Sequence, residues 1–196
     1  MLTRRHFIAT GAALSALAAH PAFAQDVAEP SVPVEPVDPL APTFVTLAGE
    51  VPANEIHMDP NIFRLYLTLG GAAAVRYAVG VGRPGLYEPG TFYVGAKKEW
   101  PSWTPTPEMI ERDPDQYEQF AEGVPGGPEN PLGARALYLY QPGRGDTFLR
   151  IHGTNAPRTI GTAVSNGCAR LTNEYVIDLY NRTPIGARVF LYPRNV

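Results

Sequence analysis

A mainly β fold, a sandwich or barrel-like pair of sheets with a short helix near its end, is predicted by three features of the sequence. From Phe44 onward the apolar residues fall in short runs that alternate with period two or are rich in β-branched and aromatic side chains. Gly and Pro bound these runs. Only one stretch, ahead of Pro184-Ile185-Gly186, carries helical spacing.

The elements follow in chain order. Residues 1–24 read as an export signal, with Arg4-Arg5 ahead of the apolar stretch Phe7 to Ala19 and a small-x-small triplet, Ala22-Phe23-Ala24, at its end. The stretch is too short and Ala-rich to hold in a bilayer, so no stable membrane anchor is expected. Thr3-Arg4-Arg5-His6-Phe7-Ile8 resembles the twin-arginine pattern, which implies export to the periplasm and cleavage near Ala24. Residues 25–42 carry a proline at every third position from Pro30 to Pro42, the composition of a semi-rigid extended spacer, or of a ligand for a proline-recognising partner. The folded domain is placed at 43–196.

Within it, Ile62–Leu69 and Val75–Val81, separated by Gly70-Gly71, look like a hairpin. Further strands are expected at Thr91–Ala96, Ala136–Tyr140, Thr147–Ile151 and Ala187–Tyr192. His57 sits in a run that alternates like an edge strand, as a surface or strand-pairing residue. The Pro/Gly/acid-rich stretch Trp100 to Gly133 is too long for a plain connection. With Trp100, Trp103, Met109 and Ile110 as anchors it reads as a packed lid. Its acidic run, Glu108 to Glu122, reads as a solvated face. Asn173 is placed to cap the helix that carries Val176, Ile177 and Tyr180.

Charge excludes one class of function. The chain has 16 basic and 19 acidic residues. Cleavage after Ala24 would remove two arginines and no acid, leaving a net charge near −5. Without a basic cluster a nucleic-acid partner is not expected, since such binding needs Lys and Arg to displace counterions.

The chemistry-bearing residues are few. After cleavage one cysteine and two histidines, His57 and His152, would remain. A four-ligand zinc site from Cys and His needs more side chains than that, so a structural zinc is not expected. A free thiol in an oxidising compartment calls for an explanation, and its neighbours offer nucleophilic catalysis. In Ser165-Asn166-Gly167-Cys168 the glycine permits a tight turn that leaves the sulfur open. Peptide N–H groups of such a turn can converge on a developing oxyanion. His152, at the end of the strand preceding Gly153-Thr154, can serve as base. An imidazolium there would pull the thiol below its ordinary value. A buried inert cysteine and a structural histidine are the alternative.

Ile151-His152-Gly153-Thr154, Pro157, Ile160-Gly161, then Ser165-Asn166-Gly167-Cys168-Ala169-Arg170-Leu171, Asn173 and Val176 resemble the signature of the L,D-transpeptidase catalytic domain. Glu99-Trp-Pro-Ser-Trp-Thr-Pro105, Gly126-Gly-Pro128 and Asn130-Pro-Leu-Gly133 also resemble that family, over roughly residues 44–195. The resemblance implies a β-rich fold with the helix after the catalytic Cys loop. It also implies attack on peptidoglycan stem tetrapeptides through a thioester with no metal or organic cofactor, release of the terminal D-Ala, 3→3 cross-linking or exchange of the terminal D-amino acid, and susceptibility to carbapenem-type inhibitors. A hydrolase of the same fold that cleaves wall cross-links or wall-protein links, or a non-catalytic wall-binding module, is the alternative. By position, Cys168 is the nucleophile and His152 the base, Gly167 and Cys168 supply backbone donors, and Ser165 and Asn166 support the loop. Gly153, Thr154 and Arg170 are placed at the substrate; Arg170 holds a carboxylate or pins the loop. Many relatives carry His where this chain has Asn166, and a larger apolar residue where it has Ala169.

Overall fold

In a computed structural model of the chain, residues 37–195 are described. The expected signal, and the spacer as far as Pro36, lie outside the described residues. The polypeptide enters a strand at β1 (Thr43–Val51) and continues through β2 (Glu55–Asp59), β3 (Arg64–Ala78), β4 (Val81–Gly82) and β5 (Gly90–Glu99). Two short helices, α1 (Pro107–Arg112) and α2 (Pro114–Tyr117), come next, then β6 (Arg135–Gln141) and β7 (Gly145–His152). The chain then forms β8 (Ala163–Ser165), β9 (Ala169–Arg170), α3 (Asn173–Arg182) and β10 (Arg188–Leu191).

Eight of these strands form one mixed sheet in the order β1-β3-β2-β10-β5-β6-β7-β9, and β4 and β8 pair as a separate ribbon. Most neighbours are antiparallel; β10 with β2, β4 with β8 and β7 with β9 are parallel. The mainly β expectation therefore holds, and the one sizeable helix follows the Cys168 loop as expected. Period two explains why the core forms where it does. Leu65 and Leu67 on β3, Ile56 and Met58 on β2, Leu137 and Leu139 on β6, and Val189 on β10 are all buried. They leave the alternate positions for the other face. Val176 and Leu179 of α3 join this core. Each such aliphatic side chain contributes roughly 1.5–3 kcal/mol relative to exposure.

Three expectations are corrected. The hairpin expected at Gly70-Gly71 is one continuous strand, β3, whose first half pairs with β2 and whose second half pairs with β1. Both glycines have positive φ, so they bend the strand where it changes partners rather than reversing it. His57 does not lie on an edge, because β2 is flanked by β3 and β10. Its ring stacks on Phe190 and its Nδ1 lies 2.7 Å from the Tyr192 hydroxyl. The cap of α3 is Thr172, whose hydroxyl accepts from the Tyr175 N–H at 3.4 Å; Asn173 is used elsewhere.

Candidate active site

The Cys168 loop is clamped from two sides. Arg170 and Gly80 exchange both backbone hydrogen bonds at 2.8 Å, while Leu171 N–H donates to the His152 carbonyl at 2.9 Å. On β7 and β9 the parallel register sets Ile151 opposite Ala169 and His152 opposite Arg170. Extending it one residue sets Arg150 level with Cys168. Side chains two apart on a strand share a face, so Arg150, His152, Cys168 and Arg170 form a square on one face of the sheet. Thiol and imidazole occupy one diagonal, the two arginines the other. Diagonal Cα atoms on neighbouring strands lie about 7–8 Å apart, and among the described residues the sulfur bonds to the Phe148 carbonyl rather than to the imidazole.

His152 is buried and its tautomer is set. Nδ1 lies 2.6 Å from the Gly153 carbonyl oxygen. A carbonyl can only accept, so Nδ1 carries the hydrogen and Nε2 keeps its lone pair. Burial, with further help from the charges of Arg170 and Arg150, pulls the imidazole down to about 3. Cys168 is half-buried, and burial pushes its thiol up, against the opposing effects of a backbone hydrogen bond from Arg150 and the charges of Arg150 and Arg170. The resting pair is therefore a neutral thiol and a neutral imidazole, which corrects the expectation of an imidazolium that depresses the thiol. The thiol itself points toward the Phe148 carbonyl, 3.8 Å away.

That carbonyl is presented by a bulge. Tyr138 pairs with Arg150 and Tyr140 with Asp146, so three residues of β7 face Leu139 alone. Phe148 at its centre has φ of 61° and an exposed ring. Its N–H is held by Asp146 Oδ1 at 2.9 Å. Asp146 also grips Arg150 through two bonds, 2.6 and 2.9 Å, and the guanidinium stacks 4.0 Å above the Tyr138 ring. Sequence reading overlooked Arg150 and Asp146. The signal was available, since a residue two before His152 on a strand must share its face.

The loop residues take definite places. Ser165 donates to the Cys168 carbonyl at 2.6 Å and accepts the Gly167 N–H at 3.3 Å. The resting loop thus engages the Gly167 N–H, one of the two donors expected for an oxyanion. Gly167 has φ of 120°, and a Cβ there would lie 2.9 Å from the Leu86 carbonyl oxygen, so no other residue fits. Gly153 and Thr154 are engaged by the protein itself. Gly153 supplies the acceptor for His152, and a Cβ on it would meet Asn173 Oδ1 at 2.2 Å. Thr154 is buried, with its hydroxyl accepting from the Ala156 N–H at 3.0 Å. Asn173 Oδ1 accepts from both Ala134 N–H, at 2.9 Å, and Thr154 N–H, at 3.1 Å, which ties the start of β6 to the turn after the base. For Arg170, the backbone pins the loop to Gly80, while Nε and Nη2 are buried without a hydrogen-bond partner among the described residues.

The stretch 100–133 is packed, as a lid would be. Trp103 sits edge-on to Tyr117 and Phe120, and Asn166 binds the Tyr117 hydroxyl at 2.7 Å. Trp100, at the entry, is exposed, and of the two tryptophans Trp103 carries this packing. Two concavities, of about 330 and 340 Å³, lie away from Cys168, one beside Asn54, Glu55 and Arg188 and the other beside Thr91, Phe190 and Tyr192.

Fold and site together describe a β-rich domain that sets a thiol and an imidazole on adjoining parallel strands beneath a packed lid. The family model for the YkuD L,D-transpeptidase catalytic domain matches residues 53–191, and the chain belongs to that family. Among curated relatives, "Probable L,D-transpeptidase YbiS" of Escherichia coli (strain K12) is 40% identical over 126 residues, 63% of this chain and 39% of that protein. "Probable L,D-transpeptidase ErfK/SrfK" of the same strain is 39% identical over 115 residues, 58% of this chain and 35% of that protein. The chain thus spans well under half the length of these relatives. A crystal structure from Brucella melitensis, named as a probable carnitine operon oxidoreductase, is 46% identical, with a TM-score of 0.54, covering 82% of this chain and 95% of that one. L,D-transpeptidase 3 from Mycobacterium tuberculosis shares the fold at 19% identity, with a TM-score of 0.54 over 72% of this chain and 62% of that one.

Proposed function

We propose that this chain is a periplasmic L,D-transpeptidase that cross-links peptidoglycan stem peptides through a thioester on Cys168. The observation that carries the reading is the diagonal of the parallel register: sulfur and imidazole share one face, and the hydrogen on Nδ1 leaves Nε2 free to take the thiol proton. Cys168 Sγ attacks the carbonyl at the L-centre of the diamino acid while His152 Nε2 accepts its proton. The carbonyl π electrons move to oxygen, facing the Cys168 N–H and the positive charges of Arg150 and Arg170. When the tetrahedral species collapses the C–N bond breaks, D-Ala leaves as an amine with the proton from His152, and a thioester remains. An amine from a second stem then attacks the thioester, gives its proton to His152, and the thiolate recovers it. The product is a 3→3 cross-link.

Residues 1–24 would act as the export signal, 25–42 as a spacer, and 43–196 as the catalytic domain. Export is supported by the twin-arginine resemblance; among the described residues no helix is long and apolar enough to cross a membrane. Carbapenems are expected to acylate the same sulfur. Structures of other L,D-transpeptidases at low identity carry an avibactam carbamoyl group and a faropenem-derived adduct, respectively. Incubation with disaccharide-tetrapeptide tests the reaction. Cross-linked dimer is expected from the native chain and none from Cys168→Ala, whereas tripeptide without dimer would mean that water, not an amine, resolves the thioester.

A further inference from the structure

The lid and the nucleophile loop meet at a fork of two arginines. Arg83 places Nη2 2.6 Å from Asp113 Oδ2, and Arg112 places Nε 3.4 Å from the same oxygen. Both guanidiniums also reach Asn166 Oδ1, at 3.4 and 2.7 Å. Asp113 stands at the N-cap of α2, a position where its carboxylate would ordinarily accept backbone N–H groups, yet it makes no cap bond. Its oxygens are turned to the arginines instead, and the Arg83 hydrogen bond and charge hold the carboxyl below its ordinary value. The fork thus carries two positive charges against one negative. Its surroundings are of the opposite sign, with Glu108, Glu111, Asp115, Glu118 and Glu122 all exposed on the same segment. Asn166 precedes Cys168 by two residues, so their Cα atoms are at most about 7 Å apart.

We propose that Arg83 and Arg112 form a carboxylate-binding subsite beside the Cys168 loop, which the resting chain fills with its own Asp113. The proposal rests on the acyl-transfer reading of Cys168 given above and names the part of the substrate that is recognised. A planar carboxylate held by guanidinium groups is the arrangement Arg favours, and Asp113 displays it in cis. The ion pair is part-exposed, so it is weak enough to exchange with an incoming ligand. Because the fork touches Asn166, two residues before Cys168, the carboxylate it would take is one near the carbonyl under attack, that of the acidic residue preceding the diamino acid in a stem tetrapeptide. On binding, that carboxylate takes the place of Asp113 and leaves Asn166 bonded to the lid through Tyr117 alone.

Calorimetric titration of disaccharide-tetrapeptide into the Cys168→Ser chain measures binding without turnover. Adding Asp113→Asn to that background is expected to tighten binding about three- to tenfold, and adding Arg83→Met to weaken it by a similar factor. A tetrapeptide whose acidic residue is a carboxamide is expected to bind equally well whether or not the chain carries Asp113→Asn. Weaker or unchanged binding in Asp113→Asn, an equal gain with the amidated peptide, or no binding of the tetrapeptide at all overturns the subsite; the first of these outcomes would make Asp113 a plain lid latch. Failure of the acyl-transfer reading is read separately, from whether native Cys168 forms a thioester, so the two cannot be confused.

Discussion

At the scale of residues, the central finding is a neutral Cys168–His152 pair flanked by cations. An imidazole that titrates near 3 is unprotonated across the weakly acidic and neutral range. The proton therefore moves during attack, not before it. The expected acylation rate is level from weakly acidic to neutral pH; a rise centred near 6.5 would show that the imidazole titrates as it does in water. The same burial has a stability consequence. On acidification the unfolded chain takes up a proton near 6.5 that the native fold refuses until about 3, so this contribution is full above 6.5 and is lost as pH falls toward 3. Its size is on the order of a few kcal/mol. Urea melts at about pH 7 and about pH 4.5, on either side of the unfolded value, should show a larger loss for the native chain than for His152→Gln.

Arg150 and Asp146 act on the thiol with opposite sign. Removing the cation in Arg150→Met should move the thiol titration up, and removing the anion in Asp146→Asn should move it down, both read from iodoacetamide alkylation rates against pH. Arg170 beside the pair, His152 on the same strand as Arg150, and Tyr138 beneath it complete the titratable and charged surroundings of that face. If both variants shift the titration in one direction, Arg150 and Asp146 merely hold the strand in shape.

At the scale of elements, the bulge in β7, the Gly167 turn and the Asn173 tie convert strands into a site. Gly167→Ala must place a Cβ 2.9 Å from a carbonyl oxygen at a φ of 120°. The expected result is a loss of about 1–3 kcal/mol of stability and a fall of roughly tenfold or more in acylation, because the sulfur is displaced. Asn173→Ala leaves two buried N–H groups without an acceptor, for an expected loss of about 1–3 kcal/mol by denaturant melts. A melt unchanged by that substitution would remove Asn173 from the support of the base. These elements also mark how far sequence reading reaches. Strands β5, β6, β7 and β10 were legible, since alternation and flanking Gly or Pro encode them directly. The unbroken β3 was not, because Gly70-Gly71 has the same composition in a bend as in a turn, and only the partner strands β1 and β2 decide between them. Asn173 suits a cap by type, and Thr172 took the role because tertiary acceptance of two N–H groups engaged the Asn173 oxygen.

At the scale of the whole molecule, family membership and mainly β architecture were legible from the His-Gly-Thr and Ser-x-Gly-Cys-x-Arg segments. The geometry that gives those letters meaning was not. That Cys168 and His152 lie on a diagonal follows from a parallel pairing between strands well separated in the chain, and a parallel register has no local signature. Neither did the sequence say that Arg83, far away from Asn166 along the chain, meets the loop directly from the end of β4. A chain acidic overall thus carries a cationic spot, Arg150 and Arg170, beside Cys168.

Whether the Cys168 sulfur is the nucleophile is decided by intact-mass spectrometry of the full chain after exposure to a carbapenem. A single adduct equal to one drug molecule, present in the native protein and missing in Cys168→Ala, is the expected result. A native chain that keeps its mass, or a Cys168→Ala chain that gains the same adduct, contradicts that assignment.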